Sequence, residues 1–169
     1  MSNNLESLIK FIESTNDIES LKLDISKFSK TKETLNLLEL ILRSQDNNIN
    51  TRAKALRLLY EIDNYLSKDL LILCTQDIDP IIRMESCGML SYYPPEEKIS
   101  NQLEKILVSD VNVDVRLVAL FALKNTGTLS AIKSIEWARE NDIEENWEGR
   151  RVSHSANRAI DAIKSRAGN

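Results

Sequence analysis

The sequence predicts an all-helical protein built from repeated helix pairs. Three observations predict it. The first is composition: in 169 residues there are only 4 Gly and 3 Pro, and aromatics make up 5% against 42% apolar residues overall. So few turn-formers argue against a sandwich or barrel of short strands. The second is an ungapped internal repeat, in which segments 46–59, 77–90 and 110–123 align on Arg52, Arg83 and Arg116. Each arginine follows an Asp by six residues (Asp46, Asp77, Asp110) and an Asn or Asp by four (Asn48, Asp79, Asn112). The third is spacing. Apolar or small residues stand three, four and seven places after each arginine, which is one face of a helix.

In chain order, Leu5–Ile12 and Ile18–Phe28 read as a first helix pair that contains no arginine. Amphipathic segments Thr34–Arg43, Ser67–Thr75 and Glu96–Val108 then precede the three motifs, so each pair is helix, short turn, helix. Asn48, Asp79 and Asn112 suit the N-cap, where a side-chain oxygen accepts an orphan backbone N–H. Pro80 follows its cap at the first helical position, where a missing N–H costs nothing. Near the end, Ala156–Ile163 has the pattern of another second helix, with Ser153 at the arginine position and an acidic connection from Glu140 to Glu148 in place of the capping Asp.

The D-x-[DN]-x-x-x-R-x-x-A-L turn resembles that of the HEAT repeat family in its short bacterial form. The resemblance implies an α-solenoid of about five helix pairs, wound as a right-handed superhelix and covering 1–169 as a single domain. On this reading 1–30 is an N-terminal capping pair, 31–126 holds three clear repeats and 127–169 is a degenerate last pair. Atypical ends are expected, because a terminal repeat presents a solvated outer face. The resemblance also implies that Arg52, Arg83 and Arg116 pair with the aspartates of their own or the next turn rather than gripping phosphates.

Several functions are excluded or disfavoured. The start, Met1-Ser2-Asn3-Asn4-Leu5-Glu6, lacks the basic and apolar regions of a secretory signal. No stretch approaches the roughly 20 apolar residues of a membrane span. Cys74 and Cys87 fall inside apolar helical patterns and read as buried, reduced thiols, which places the chain in the cytoplasm. A single histidine, His154, leaves no two-histidine metal site, and the scattered glycines make neither a dinucleotide loop nor a P-loop. No pair of carboxylates has a context suited to acid–base work. The expectation is therefore a non-enzyme without cofactor or metal.

Binding residues are sought on the face opposite the seam. Positions two, five and nine after each arginine are Lys54, Arg57 and Glu61, then Glu85, Gly88 and Tyr92, then Val118, Phe121 and Asn125. The last pair contributes Ser155, Arg158 and Ala162. In HEAT-like solenoids this second helix lines the concave face. Gly88, costly inside a helix, hints at a close backbone approach. A second candidate patch is the acidic run Glu140, Asp142, Glu144, Glu145 and Glu148, flanked by Trp137 and Trp147. Trp137 lies off the apolar stripe of its helix. The plain alternatives are that Val118 and Phe121 pack on neighbouring repeats, that the charge run is a solvated loop and that the tryptophans close a core. The expected contact set is Arg57, Glu85, Tyr92, Phe121 and Arg158, extended by Glu144, Glu145 and Trp147.

With 22 basic and 26 acidic residues, the net charge is −4. That balance speaks against a nucleic-acid interface, whose affinity is dominated by phosphate contacts. The function expected is a protein-binding module, in its finer form a small bacterial immunity protein that neutralises a cognate toxin. An acidic inhibitor suits a basic nuclease toxin through electrostatic steering. The alternatives are a scaffold or adaptor, a DNA-binding helical-repeat protein of the glycosylase-like kind using Lys54, Arg57, Arg150, Arg151 and Arg158, and a chaperone or lyase for a pigment.

Overall fold

The computed structural model describes residues 2–15, 20, 32–62 and 64–168. Among these residues the fold is all-helical, with nine α-helices, one 3-10 turn and no strand. They are α1 (Ser2–Ser14), α2 (Lys32–Arg43), α3 (Ile49–Ile62), α4 (Asn64–Cys74), α5 (Pro80–Leu90), α6 (Glu97–Ser109), α7 (Val113–Thr126), α8 (Ile132–Asn141) and α9 (Ser153–Ala167). The 3-10 turn, Leu129–Ala131, precedes α8. Apart from Ser20, the expected helix Ile18–Phe28 lies outside the described residues, as does Asp63.

The chain divides into two compact units, Met1–Leu70 and Leu71–Asn169. In the first, α3 packs against both α2 and α1. Its core is aliphatic, with Leu8, Ile12, Leu38, Ile41, Leu56 and Leu58 fully buried. In the second, α7 packs against α5, α6 and α9, while α8 packs against α6 and α9. Successive second helices (α5, α7, α9) are therefore neighbours, as are successive first helices α6 and α8.

The helical register follows the repeat. All nine positions three, four and seven after the arginines are buried: Ala55, Leu56 and Leu59; Ser86, Cys87 and Leu90; Ala119, Leu120 and Leu123. None of the positions two, five and nine places on is buried. The caps also form. Asn48 accepts from the Asn50 N–H, Asp79 from Ile81, and Asn112 from Asp114 and Val115. Pro80 opens α5 as the first helical residue.

The arginines are structural. Arg83 reaches across from α5 to Asp110 with two parallel bonds of 2.7 and 2.9 Å, and donates to the carbonyls of Asp77 and Ile78. Arg116 repeats this one turn on: it holds Asp142 at 2.7 and 3.0 Å, Glu144 at 2.7 Å and the carbonyl of Asp110. Both pairs are nearly out of solvent, and the hydrogen bond to the carboxylate raises each guanidinium pKa above its ordinary value despite burial. Forked, charge-assisted bonds of this kind fix orientation as well as energy. Arg52 donates to the carbonyl of Leu42 at 2.9 Å.

Asp142 is thus the counterpart of Asp77 and Asp110 in the last pair. It also accepts from the Glu144 N–H two residues on, as Asp77 does from Asp79 and Asp110 from Asn112. Helix α9 itself opens at Val152 with no capping side chain, so the capping position is empty there; the Asp142 turn lies earlier, and extra loop separates it from α9.

Candidate functional site

Helix α7 is apolar on two faces. One, carrying Val115, Ala119, Ala122 and Leu123, is fully buried. The other carries Asp114, Leu117, Val118, Phe121 and Lys124, a stripe at helical spacing that lines a groove of about 560 Å³. Met84 of α5 forms part of the wall; Ser155, Arg158 and Ala159 of α9 form another part. The loop between α8 and α9 closes the rim with Asn146, Trp147, Glu148 and Arg150.

Local chemistry fixes that loop. The side-chain oxygen of Asn146 accepts from the N–H groups of Glu148 and Arg150, and its amide donates to Asp114 on α7 at 2.8 Å. The backbone closes with Asn146 N–H donating to the Arg150 carbonyl and Gly149 N–H to the Asn146 carbonyl. Gly149 has φ of 73°, a left-handed conformation that a side chain would strain. The turn so built holds Trp147 out at the rim, 86% exposed. Phe121, at mid-groove, is 50% exposed, with the Lys124 ammonium 5.7 Å from its ring centroid. Exposed aromatics on a rigid frame are the side chains that anchor interfaces.

Of the expected contact set, Phe121, Trp147 and Arg158 come together at this groove. The others do not line it. Arg57 is half-buried on α3 in the first unit; Glu85 is half-buried on α5, and Tyr92, 74% exposed, follows that helix. Glu144 is bonded to Arg116 and lines a separate cleft of about 260 Å³ with Trp137, Leu107 and Ile143. Glu145 pairs with Arg151. Indeed every carboxylate of the acidic run has an arginine: Glu140 has Arg139, Asp142 and Glu144 share Arg116, and Glu148 has Arg150 at 2.8 Å. The run is less a charged patch than a set of ion pairs.

Sequence reasoning missed Leu117, Lys124 and Asn146. The first two lie one and eight places after Arg116, on the same outward stripe as Val118 and Phe121. Asn146 followed by Gly149 was a legible turn signal. Gly88 needs a different account from the one its sequence position suggests. A Cβ there would meet only a Val118 methyl, at 3.9 Å, so no close backbone approach requires glycine.

Among the described residues, reactive groups are sparse. Cys74 and Cys87 are buried free thiols, and burial pushes Cys87 up to about 12. His154 is exposed on the first turn of α9. Among the described residues, no group of three or more His, Cys, Asp or Glu side chains could hold a metal ion, and no helix is long and apolar enough to cross a membrane.

The sequence matches no protein-family model and no curated protein.

Proposed function

We propose that the chain is a non-catalytic protein-binding module of HEAT-like helical repeats, and that its contact surface is the groove along α7. One observation carries the reading: a rigidly held, exposed tryptophan and a half-exposed phenylalanine face the same apolar floor. Helices normally spend a second apolar face on packing, and an unpaired one rimmed by polar groups marks a binding surface. The successive packing of α5, α7 and α9 supports the solenoid form of the repeat.

The finer reading is a cytoplasmic bacterial inhibitor that neutralises a cognate toxin. It rests on the likeness of the repeat to HEAT repeats found among immunity proteins. Affinity capture from the producing cell, followed by mass spectrometry, tests both levels. The expected result is a protein that is retained by the native chain and lost with Phe121→Ala and Trp147→Ala. A toxin among such proteins supports the finer reading, whereas retention of the same set by both variants contradicts the groove. A mobility shift with duplex DNA at low salt, unaffected by salt-matched competitor protein, would favour the nucleic-acid alternative instead.

A further inference from the structure

We infer that the groove receives an acidic, apolar segment of its partner, one in which carboxylates flank large apolar side chains. This rests on the protein-binding reading and adds the chemistry of the occupant.

Five charged side chains line the walls, Lys124, Arg150 and Arg158 against Asp114 and Glu148. Glu148 is ion-paired with Arg150 at 2.8 Å, while Asp114 keeps its charge and is turned to the neutral Asn146 amide at 2.8 Å. Among the described residues the two other cations of the lining have no carboxylate. The Lys124 ammonium lies over the Phe121 ring, and Arg158 stands exposed on α9. Each stands beside an apolar residue of the lining, Lys124 by Phe121 and Arg158 by Ala159. An incoming carboxylate gains either cation while its neighbouring side chain covers the floor. A basic segment would set like charge against both, which interfaces avoid. The acidic run offers no competing attraction at this place, since its carboxylates are already matched by Arg116, Arg139, Arg150 and Arg151.

The rim points to a protein segment, since the floor alone, at about 560 Å³, would suit a small ligand equally well. Trp147 stands 86% exposed at the edge, and covering it takes a partner that extends beyond the floor.

The test uses the full chain as bait for a displayed library of random short peptides, with Lys124→Glu/Arg158→Glu as a second bait. Both substitutions are on exposed helix positions, and circular dichroism checks that the double variant folds. The inference expects clones enriched in Asp and Glu next to Leu, Phe or Met. Synthetic copies of these should bind the double variant about tenfold or more weakly, and the double variant should itself select basic–apolar clones. Basic clones selected by the native chain that depend on Phe121 and Trp147 would overturn the acidic occupant while leaving the groove as the binding surface. Clones indifferent to Phe121→Ser and Trp147→Ser would overturn both. Self-association measured by sedimentation and abolished by Lys124→Glu/Arg158→Glu would make a second copy the occupant and overturn the inference as stated.

Discussion

Arg116 shows how much one side chain contributes to the second unit. Its guanidinium ties the turn before α7 to the turn after α8 through Asp110, Asp142 and Glu144. Removing one partner of a buried pair leaves an uncompensated charge, which typically costs about 3–5 kcal/mol. Asp142→Ala should therefore destabilise the protein by about 3 kcal/mol, the low end of that range because Glu144 remains. Chemical denaturation at neutral pH measures it, and a loss under about 0.5 kcal/mol would mean that the ladder is decorative. Asp142 was legible in the sequence, since the aspartates at 46, 77, 110 and 142 fall at intervals of 31, 33 and 32. Alignment on the second helix hides it, because the stretch from Asp142 to Val152 separates that aspartate from α9. Cys87 gives a residue-scale prediction in pH. Its folded pKa is raised from 9.0 to about 12, so between these values the unfolded chain loses a proton that the folded one keeps. Stability from this group is complete below pH 9 and falls as pH rises towards 12, by about 4 kcal/mol at most at about 1.36 kcal/mol per pH unit. Denaturation of the native chain and Cys87→Ala across that window should show a component that is steeper in the native chain; equal slopes would contradict the burial.

At the scale of elements, the sequence reading is strongest inside helices and weakest where chain ends meet. Period and caps depend on near neighbours, so α5 and α7 could be placed from Asp79, Pro80 and Asn112 alone. Glycine roles depend on what approaches from elsewhere, and the two buried or half-buried ones separate cleanly. Gly88 lies inside α5 with room for a methyl group, so Gly88→Ala should stabilise by about 0.5–1 kcal/mol through helix propensity. Gly127 ends α7, where a Cβ would stand 2.5 Å from the Leu123 carbonyl oxygen and 3.1 Å from Ile163. Arg166 of α9 also donates to the carbonyls of Lys124 and Gly127 there. Gly127→Ala should accordingly destabilise, by about 1–3 kcal/mol as an overpacked site. Thermal melts of the pair test the contrast, and a shift of the same sign in both would refute it. Leu120→Ala, within the repeat's buried seam, should cost about 2–5 kcal/mol.

On the scale of the whole molecule, the candidate site was legible only in part. Phe121, Trp147 and Arg158 were readable as outward or loop residues, but their convergence was not, because it depends on how the α8–α9 loop folds back on α7 through Asn146 and Asp114. Counting carboxylates made the loop an acidic patch; only the positions of four arginines reveal it as paired. The same geometry separates binding from stability. Trp147→Ala removes an exposed indole and should weaken partner binding by about 2 kcal/mol or more, with the melting temperature nearly unchanged. The most direct measurement of the central claim is site-specific photo-crosslinking in the producing cell, with benzoylphenylalanine placed at position 121 and, as a control, at exposed Lys133 on α8. The account predicts a discrete protein adduct from position 121 and none from position 133. An adduct from position 133 with none from 121 would contradict it and move the binding surface off the groove.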